Sequence, residues 1–391
     1  MKRSLVLVTG GGSGGHITPV LAVVHQLKLA SPQTSVVYVG PKGDQLSDVP
    51  AADPNIDRVY SVRAGKFRRY HGAGWRQLVD LPTIAKNLRD VLYVLIGIVQ
   101  SLWLLRRLRP QVVFVRGSFV GVPIGIAAGL LKIPIITHDS DAIPGLTHRL
   151  IARWTTIHAV ALPKEVYRYP AAKTVTVGVP ISHHYAKLTA AAVRTAREMI
   201  GVSNEQRLVL MTGGGHGAGR LNESTMEIAP ALLTRYPELV LVILAGRIHA
   251  ETLSKKYNNS LTADMRKRLR IESFVSNLYD YSAVADVVIT RAGGTSMAEF
   301  AAQAKACVVV PNPELTGGHQ TKNAQVLADR QAVIIVTEAE LRKDKRALLA
   351  PIVDLLDHPE AARDMAEKLH SLGHPDAAKR LAMLLLEQVK R

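Results

Sequence analysis

Twice in 391 residues an apolar, β-branched run breaks into a glycine cluster that opens a helical stretch. The first is Leu5–Thr9 followed by Gly10-Gly11-Gly12-Ser13-Gly14-Gly15-His16, and the second is Leu208–Thr212 followed by Gly213-Gly214-Gly215-His216-Gly217-Ala218. Val36–Gly40, Val112–Arg116 and Ile135–His138 continue the first alternation, and Leu239–Ala245, Val287–Thr290, Cys307–Val310 and Val333–Val336 continue the second. This pattern predicts parallel strands with helical crossovers, hence an α/β chain of two doubly wound domains. The boundaries read as 1–178 and 179–375, with Gly178-Val179-Pro180 as candidate hinge. A terminal helix over 376–391, its leucines on one face, can pack back on the first domain.

Length and composition agree with this division. At roughly 100–200 residues per domain the chain carries two cores, and 47% hydrophobic with 21% charged residues leaves no room for extensive disorder. The single cysteine, Cys307, excludes an internal disulfide and a Cys₂His₂ metal site. The N-terminal apolar run, Leu5 to Val8, is too short for a signal peptide. The run Val91–Leu105 falls short of the ~20 residues of a membrane span, so no transmembrane helix is expected.

Net charge is +17, placed asymmetrically: residues 1–178 hold 22 Lys/Arg against 9 Asp/Glu, and the remainder 27 against 23. Twelve basic residues lie between Arg58 and Arg116, facing only Asp80 and Asp90. Such a field attracts polyanions, nucleic acid or an anionic leaflet. Leu88 to Arg109 combines Leu102, Trp103 and other apolar residues with Arg106 and Arg107, and Lys66, Arg68, Arg69 and Arg76 add a basic rim. Trp near arginines on an apolar helix suits a membrane interface, although such a helix can also be core. Aromatics are only 5% and no nucleic-acid signature accompanies the charge, so nucleic acid is not the expected partner.

Gly10-x-Gly12-x-x-Gly15 matches a dinucleotide fingerprint, but the second strand ends Val39-Gly40-Pro41-Lys42 with no acid to hold a ribose. What remains is the physics common to phosphate sites, in which glycines admit a backbone-close ligand and a helix N-terminus offers N–H groups to an anion. Arg291 to Glu299 repeats strand, glycine loop and helix. Thr295 and Ser296 can meet a phosphate, and Glu299, one turn in, can accept both hydroxyls of a ribose; a capping box is the plain alternative. Gly317-Gly318-His319-Gln320-x-x-Asn323 offers amide and imidazole donors suited to sugar hydroxyls. His16, ending the first glycine loop, is a candidate general base or a capping histidine.

In order, GGGSGGH, THDSDAIPG, GGGHGAGRLN, RAGGTSMAEFAA and GGHQTKNA resemble the MurG family, the UDP-N-acetylglucosamine:undecaprenyl-diphospho-muramoyl-pentapeptide transferases. The resemblance spans nearly the whole chain. It implies a GT-B fold, two Rossmann-like domains facing across a cleft, with the lipid acceptor on 1–178 and the nucleotide sugar on 179–375. It implies inverting transfer of GlcNAc from UDP-GlcNAc to the undecaprenyl-linked muramoyl-pentapeptide, by a peripheral enzyme at the cytoplasmic face of the cell membrane. Ser13, Gly14 and Gly15 would line the diphosphate and acceptor side, Val275 would read uracil through its backbone, Gly294, Thr295, Ser296, Met297, Ala298 and Glu299 would hold phosphate and ribose, and Gln320 the GlcNAc hydroxyls. Arg291, Asp141, Ser182 and Gly215 join the substrate-binding set.

Three motifs depart from the family's HEQN, GGSQGA and GNPVR, reading His138-Asp139-Ser140-Asp141, Gly213 to Ala218 and Gly178 to Ser182, with His183 and His184 as stand-ins for the lost arginine. These departures leave a different lipid glycosyltransferase using a UDP-sugar as the alternative. Asp139-Ser140-Asp141 also spells DxD, a metal motif of another glycosyltransferase fold. It falls where this family has none, and helix N-termini already face the phosphates, so no metal or other cofactor is expected. Asp139 and Asp141 are rivals to His16 as base.

Overall fold

A computed structural model describes residues 4–65, 81–214, 218–257, 261–314 and 318–390, without the side chains of 81–87. Two compact units are present, Met1–Ser182 with His374–Arg391, and His183–Gly373. The division falls after Ser182 and Gly373, so Gly178-Val179-Pro180 lies inside the first unit rather than at a hinge. A Cβ on Gly178, at φ +87°, would stand 2.2 Å from the His374 Cβ, so the end of the unit's main segment and the start of its returning segment pack tightly there.

The first unit is a seven-stranded, all-parallel sheet in the order β3-β2-β1-β4-β5-β6-β7. Its strands are β1 Leu5–Thr9, β2 Ser35–Pro41, β3 Arg58–Val62, β4 Val112–Val115, β5 Ile135–Asp139, β6 Ile157–Val160 and β7 Thr174–Thr176. The second unit is six-stranded and parallel, β10-β9-β8-β11-β12-β13, with β8 Arg207–Thr212, β9 Leu239–Leu244, β10 Leu269–Glu272, β11 Val287–Thr290, β12 Ala306–Val309 and β13 Ile334–Ile335. Counted from its own first strand, the second sheet repeats the 3-2-1-4-5-6 order of a dinucleotide-type fold. In such sheets ligands gather at the carboxyl ends of the strands where the order reverses. The two glycine clusters follow β1 and β8, at those two reversals.

Alternation sets the layers. Val6 and Val8 face one layer with Val20, Val23, Val24 and Leu27, while Leu7 faces the other with Leu104, Leu105, Ile124 and Ile151. The helix Ala377–Lys390 joins the first of these through Ala378, Leu381, Leu385 and Leu386. In the second unit Val209 and Met211 pack with Leu221 and Leu232, and Leu208 and Leu210 with Phe300 and Cys307.

The apolar helix is longer than its sequence run suggests, Leu81–Leu108, and Leu88–Leu108 is long and apolar enough to cross a membrane by length and composition. It is nevertheless a layer of the first unit. Leu104 and Leu105 enter the core, Gln100 Oε1 accepts the Arg63 N–H at 2.8 Å, and Gly97 lies so close to Arg63 that a Cβ would stand 2.0 Å from its carbonyl oxygen. Leu88, Leu92, Leu95, Val99 and Trp103 form an exposed apolar stripe on its other side.

Candidate active site

In the first unit β1 delivers its chain into a turn that only glycine fits. A Cβ on Gly10 would stand 2.4 Å from the His16 carbonyl oxygen. Gly14 and Gly15 differ, since a Cβ on either would meet nothing within 4 Å, which leaves open space above the start of the helix Gly14–Ala30. Ser13, its N-cap, makes no side-chain capping bond. The Gly14 and Gly15 N–H groups and the positive dipole end are therefore available to an anion, while the His16 N–H donates to the Ser13 carbonyl at 3.1 Å. On one side the loop is closed: Asp44 Oδ2 accepts the Gly12 N–H at 2.8 Å. An acid does follow the second strand, two residues past the stretch read for it, and it braces the glycine loop.

His16 is half-buried against the loop that follows β4, with Gly117 (φ +100°) so close that a Cβ would lie 3.1 Å from Cε1 and 3.2 Å from Nδ1. Burial, then the Arg116 guanidinium, lowers its pKa to about 4, against the opposing pull of the Arg116 carbonyl and Asp141. The imidazole is neutral at physiological pH, the state a proton acceptor needs. Arg116 is itself buried and donates to Ser140 Oγ.

Asp139 departs from its reading as a rival base. Its Oδ1 lies 2.6 Å from His148 Nδ1 and 3.1 Å from the Gly145 N–H, and its Oδ2 accepts the Tyr169 hydroxyl at 2.8 Å. Burial alone would raise this carboxyl, but His148 and these bonds outweigh it and hold it down to about 2. Such a group anchors the end of β5 and takes no proton near neutrality. Both of its oxygens are engaged by protein partners. His138 packs behind it, Nε2 2.7 Å from the Gly178 carbonyl, and burial pushes it down to about 3. Asp141 is half-buried on the same edge, close enough to act on both His16 and Arg116.

The second unit repeats the arrangement after β11. The helix Gly294–Ala302 starts at Gly293 without a side-chain cap, and Thr295, Ser296 and Ala298 are half-buried around its first turn. Met297 is a correction: its side chain is in the core and its N–H bonds the Gly293 carbonyl at 3.0 Å, so it presents nothing to a ligand. Glu299 is half-buried, its carboxyl has no hydrogen-bond partner among the described residues, and burial pushes its pKa up to about 8. Tyr185 is close enough to feel its charge and packs edge-on to Tyr279, on which His184 stacks at 4.7 Å. Arg291 is nearly buried and committed to Glu338 and to the Val310 carbonyl at 2.9 Å, which makes it a brace for the loop. Asn323 ties the helix His319–Ala328 to this loop through the Ala292 carbonyl, and Gln320 accepts the Asn312 N–H at 2.9 Å through Oε1.

Val275 is half-buried after the exposed Phe274, over which Arg247 stands 5.4 Å from the ring centre. Ser182 is half-buried at the end of the first unit's main segment. Gly215, Lys66, Arg68, Arg69 and Arg76 lie outside the described residues. Leu102 is turned partly into the core, whereas Trp103 is 61% exposed beside Arg106 and under Arg107, 5.2 Å away. Asp44, Arg116, His148, Tyr169 and Tyr185 were not among the residues singled out from sequence; Asp44 alone carried a signal, as an acid just past the second strand.

Two parallel units of this topology, each with an uncapped helix N-terminus at its sheet's reversal, define a GT-B type fold. The sequence matches the glycosyltransferase family 28 N-terminal domain over residues 6–160 and the glycosyltransferase family 28 C-terminal domain over residues 208–381. It is 30% identical over 387 residues to a UDP-N-acetylglucosamine–N-acetylmuramyl-(pentapeptide) pyrophosphoryl-undecaprenol N-acetylglucosamine transferase from Moorella thermoacetica, covering 98% of this chain and 99% of that one. A protein of the same name from Natranaerobius thermophilus is 29% identical over 97% and 98% of the two chains. The Acinetobacter baumannii MurG crystal structure shares the fold, with a TM-score of 0.70 at 24% identity over 98% of this chain and 99% of that one. The chain belongs to glycosyltransferase family 28, in its MurG branch.

Proposed function

We propose that the chain moves GlcNAc from UDP-GlcNAc to an undecaprenyl-pyrophosphoryl N-acetylmuramyl-pentapeptide, inverting the anomeric carbon. The observation that carries this is Glu299, an unpartnered, half-buried carboxyl one turn inside an uncapped helix N-terminus, in a chain of this branch. Its place suits a ribose diol with the diphosphate on Thr295 and Ser296, Val275 beside the base and the Gln320 amide toward the sugar. His16 takes the proton of the acceptor hydroxyl as that oxygen bonds to C1 of GlcNAc. The C1–O bond to UDP breaks on the opposite face, and its electron pair leaves on the β-phosphate. Asp139 serves as an anchor rather than a base.

Charge on the leaving UDP is met by helix N–H groups, so turnover is expected to persist in EDTA. Activity lost to chelation and restored by Mn²⁺ would reverse that. The exposed stripe from Leu88 to Trp103, with Arg106 and Arg107, supports peripheral attachment to an anionic leaflet at the cytoplasmic face. The deciding experiment supplies radiolabelled UDP-GlcNAc with the muramyl-pentapeptide lipid, with diacylglycerol, or with no acceptor. Label is expected in the first product alone; label in diacylglycerol would reassign the acceptor.

A further inference from the structure

A neutral imidazole is in the right state to accept a proton, yet one held as far down as about 4 is a weak acceptor. Something present during the reaction and missing from the free protein has to change that. Three buried polar atoms cluster there without a partner among the described residues: His16 Nδ1, Arg116 Nε and Ser118 Oγ. Buried polar groups are almost always satisfied, so three orphans on adjoining loops mark a place where something else completes the bonds. Above them is the uncapped helix start with open space over Gly14 and Gly15. Below, the Arg116 guanidinium is 5% exposed and fixed to Ser140 Oγ.

We propose that Arg116 is a positioning residue for the proton-accepting step, coupling the charge state of His16 to the presence of an anion at the Gly14–Gly15 loop. This rests on the reading of His16 as the proton acceptor. Three charged or titratable groups face the His16 ring: Arg116 from the loop after β4, His148 from the helix Leu146–Ile151, and Asp141 from the turn after β5. The first two oppose an imidazolium and Asp141 favours it. In a poorly solvated site a guanidinium is costly to a second positive charge, and a pyrophosphate beside it removes that cost. His16 then becomes an effective base only when a pyrophosphate-bearing acceptor is seated, which protects the donor sugar from attack by water in its absence.

Histidine-labelled protein lets His16 be titrated by NMR without turnover. In Arg116→Gln its midpoint is expected to rise by about one pH unit or more without ligand, while Arg116→Lys keeps the low midpoint. In the wild-type chain, inorganic pyrophosphate is expected to perturb the Gly14 and Gly15 amides and to raise the His16 midpoint. A midpoint indifferent to both substitution and pyrophosphate, or Gly14 and Gly15 amides that do not respond, overturns the proposal. If Arg116→Gln fails to fold, Arg116→Lys and the pyrophosphate titration decide it. An active His16→Ala would instead sink the base reading and leave the measured coupling standing.

Discussion

Single side chains in this protein owe their chemistry to which partners they lack. The Glu299 carboxyl has no hydrogen-bond partner among the described residues and, pushed up to about 8, is largely protonated at pH 7. Two ribose hydroxyls donating to it favour the carboxylate, so nucleotide binding is expected to release a proton and to tighten as pH rises from 6 to 8. Calorimetry in buffers of different ionisation heat reads that proton directly. Glu299→Gln should bind UDP-GlcNAc more weakly by about 1.5–3 kcal/mol and lose the pH dependence; an unchanged, pH-dependent affinity would move the ribose elsewhere. His16→Ala should lower turnover at saturating substrates by about 10²–10⁴ with little effect on donor binding. A variant keeping more than about a tenth of wild-type turnover would transfer the role to Asp141, since Asp139 is saturated by His148, Gly145 and Tyr169.

At the level of elements, the helix Leu81–Leu108 makes the sharpest prediction, because one side is core and the other is not. Val99, 67% exposed, and Trp103 can be changed without opening the core, whereas Leu102 cannot. Val99→Ser, Trp103→Ser, Arg106→Gln and Arg107→Gln together should abolish co-sedimentation with anionic vesicles while leaving the circular dichroism and melting of the protein unchanged. Wild-type binding should also be released by salt, as each basic residue near a leaflet contributes about 1 kcal/mol that ions screen. Retained binding in the quadruple variant would place the membrane contact elsewhere. The same inside-outside logic explains what the sequence disclosed. Strands buried over all or nearly all their length, such as β1, β8 and β11, announce themselves as apolar runs, and the turn at Gly10 demands glycine, so both loops are legible. The strands β3 and β10 lie at sheet edges, where Arg58, Ser61, Arg270 and Glu272 break the pattern, and β6 is interrupted by His158. Asp44 meets Gly12 across 32 residues and Tyr169 meets Asp139 across 30, contacts that no local spacing encodes.

Taken as a whole molecule, the chain divides its buried imidazoles unequally. His138, His148 and His158 are buried in the first unit, and no buried histidine is found among the described residues of the second. Burial holds His138 to about 3 and His158 to about 4 in the folded chain, against about 6.5 unfolded. A folded pKa below the unfolded one means the unfolded chain takes the proton first. This part of the stability is therefore fully present above about pH 6.5 and lost progressively as pH falls toward 4 to 3. Asp139, held to about 2, adds a second loss below about pH 4. Denaturant unfolding at pH 7 and pH 5 should differ by roughly 2–4 kcal/mol for the first unit, and His158→Gln should reduce the difference. Equal acid sensitivity of both units would locate the titrating groups elsewhere.

The helix Ala377–Lys390 lies against Gly14–Ala30 through Leu381, Leu385, Val20 and Val24, so the first unit is closed by residues made almost 200 positions after its main segment ends. At ~5–20 residues per second, a ribosome needs roughly 10 to 40 s to cover that distance. Throughout that interval the part of Gly14–Ala30 that meets this helix is uncovered, and the second unit, continuous in sequence, is made in full before the helix appears. Birth order and folding order are thus opposed. The half made first is completed last.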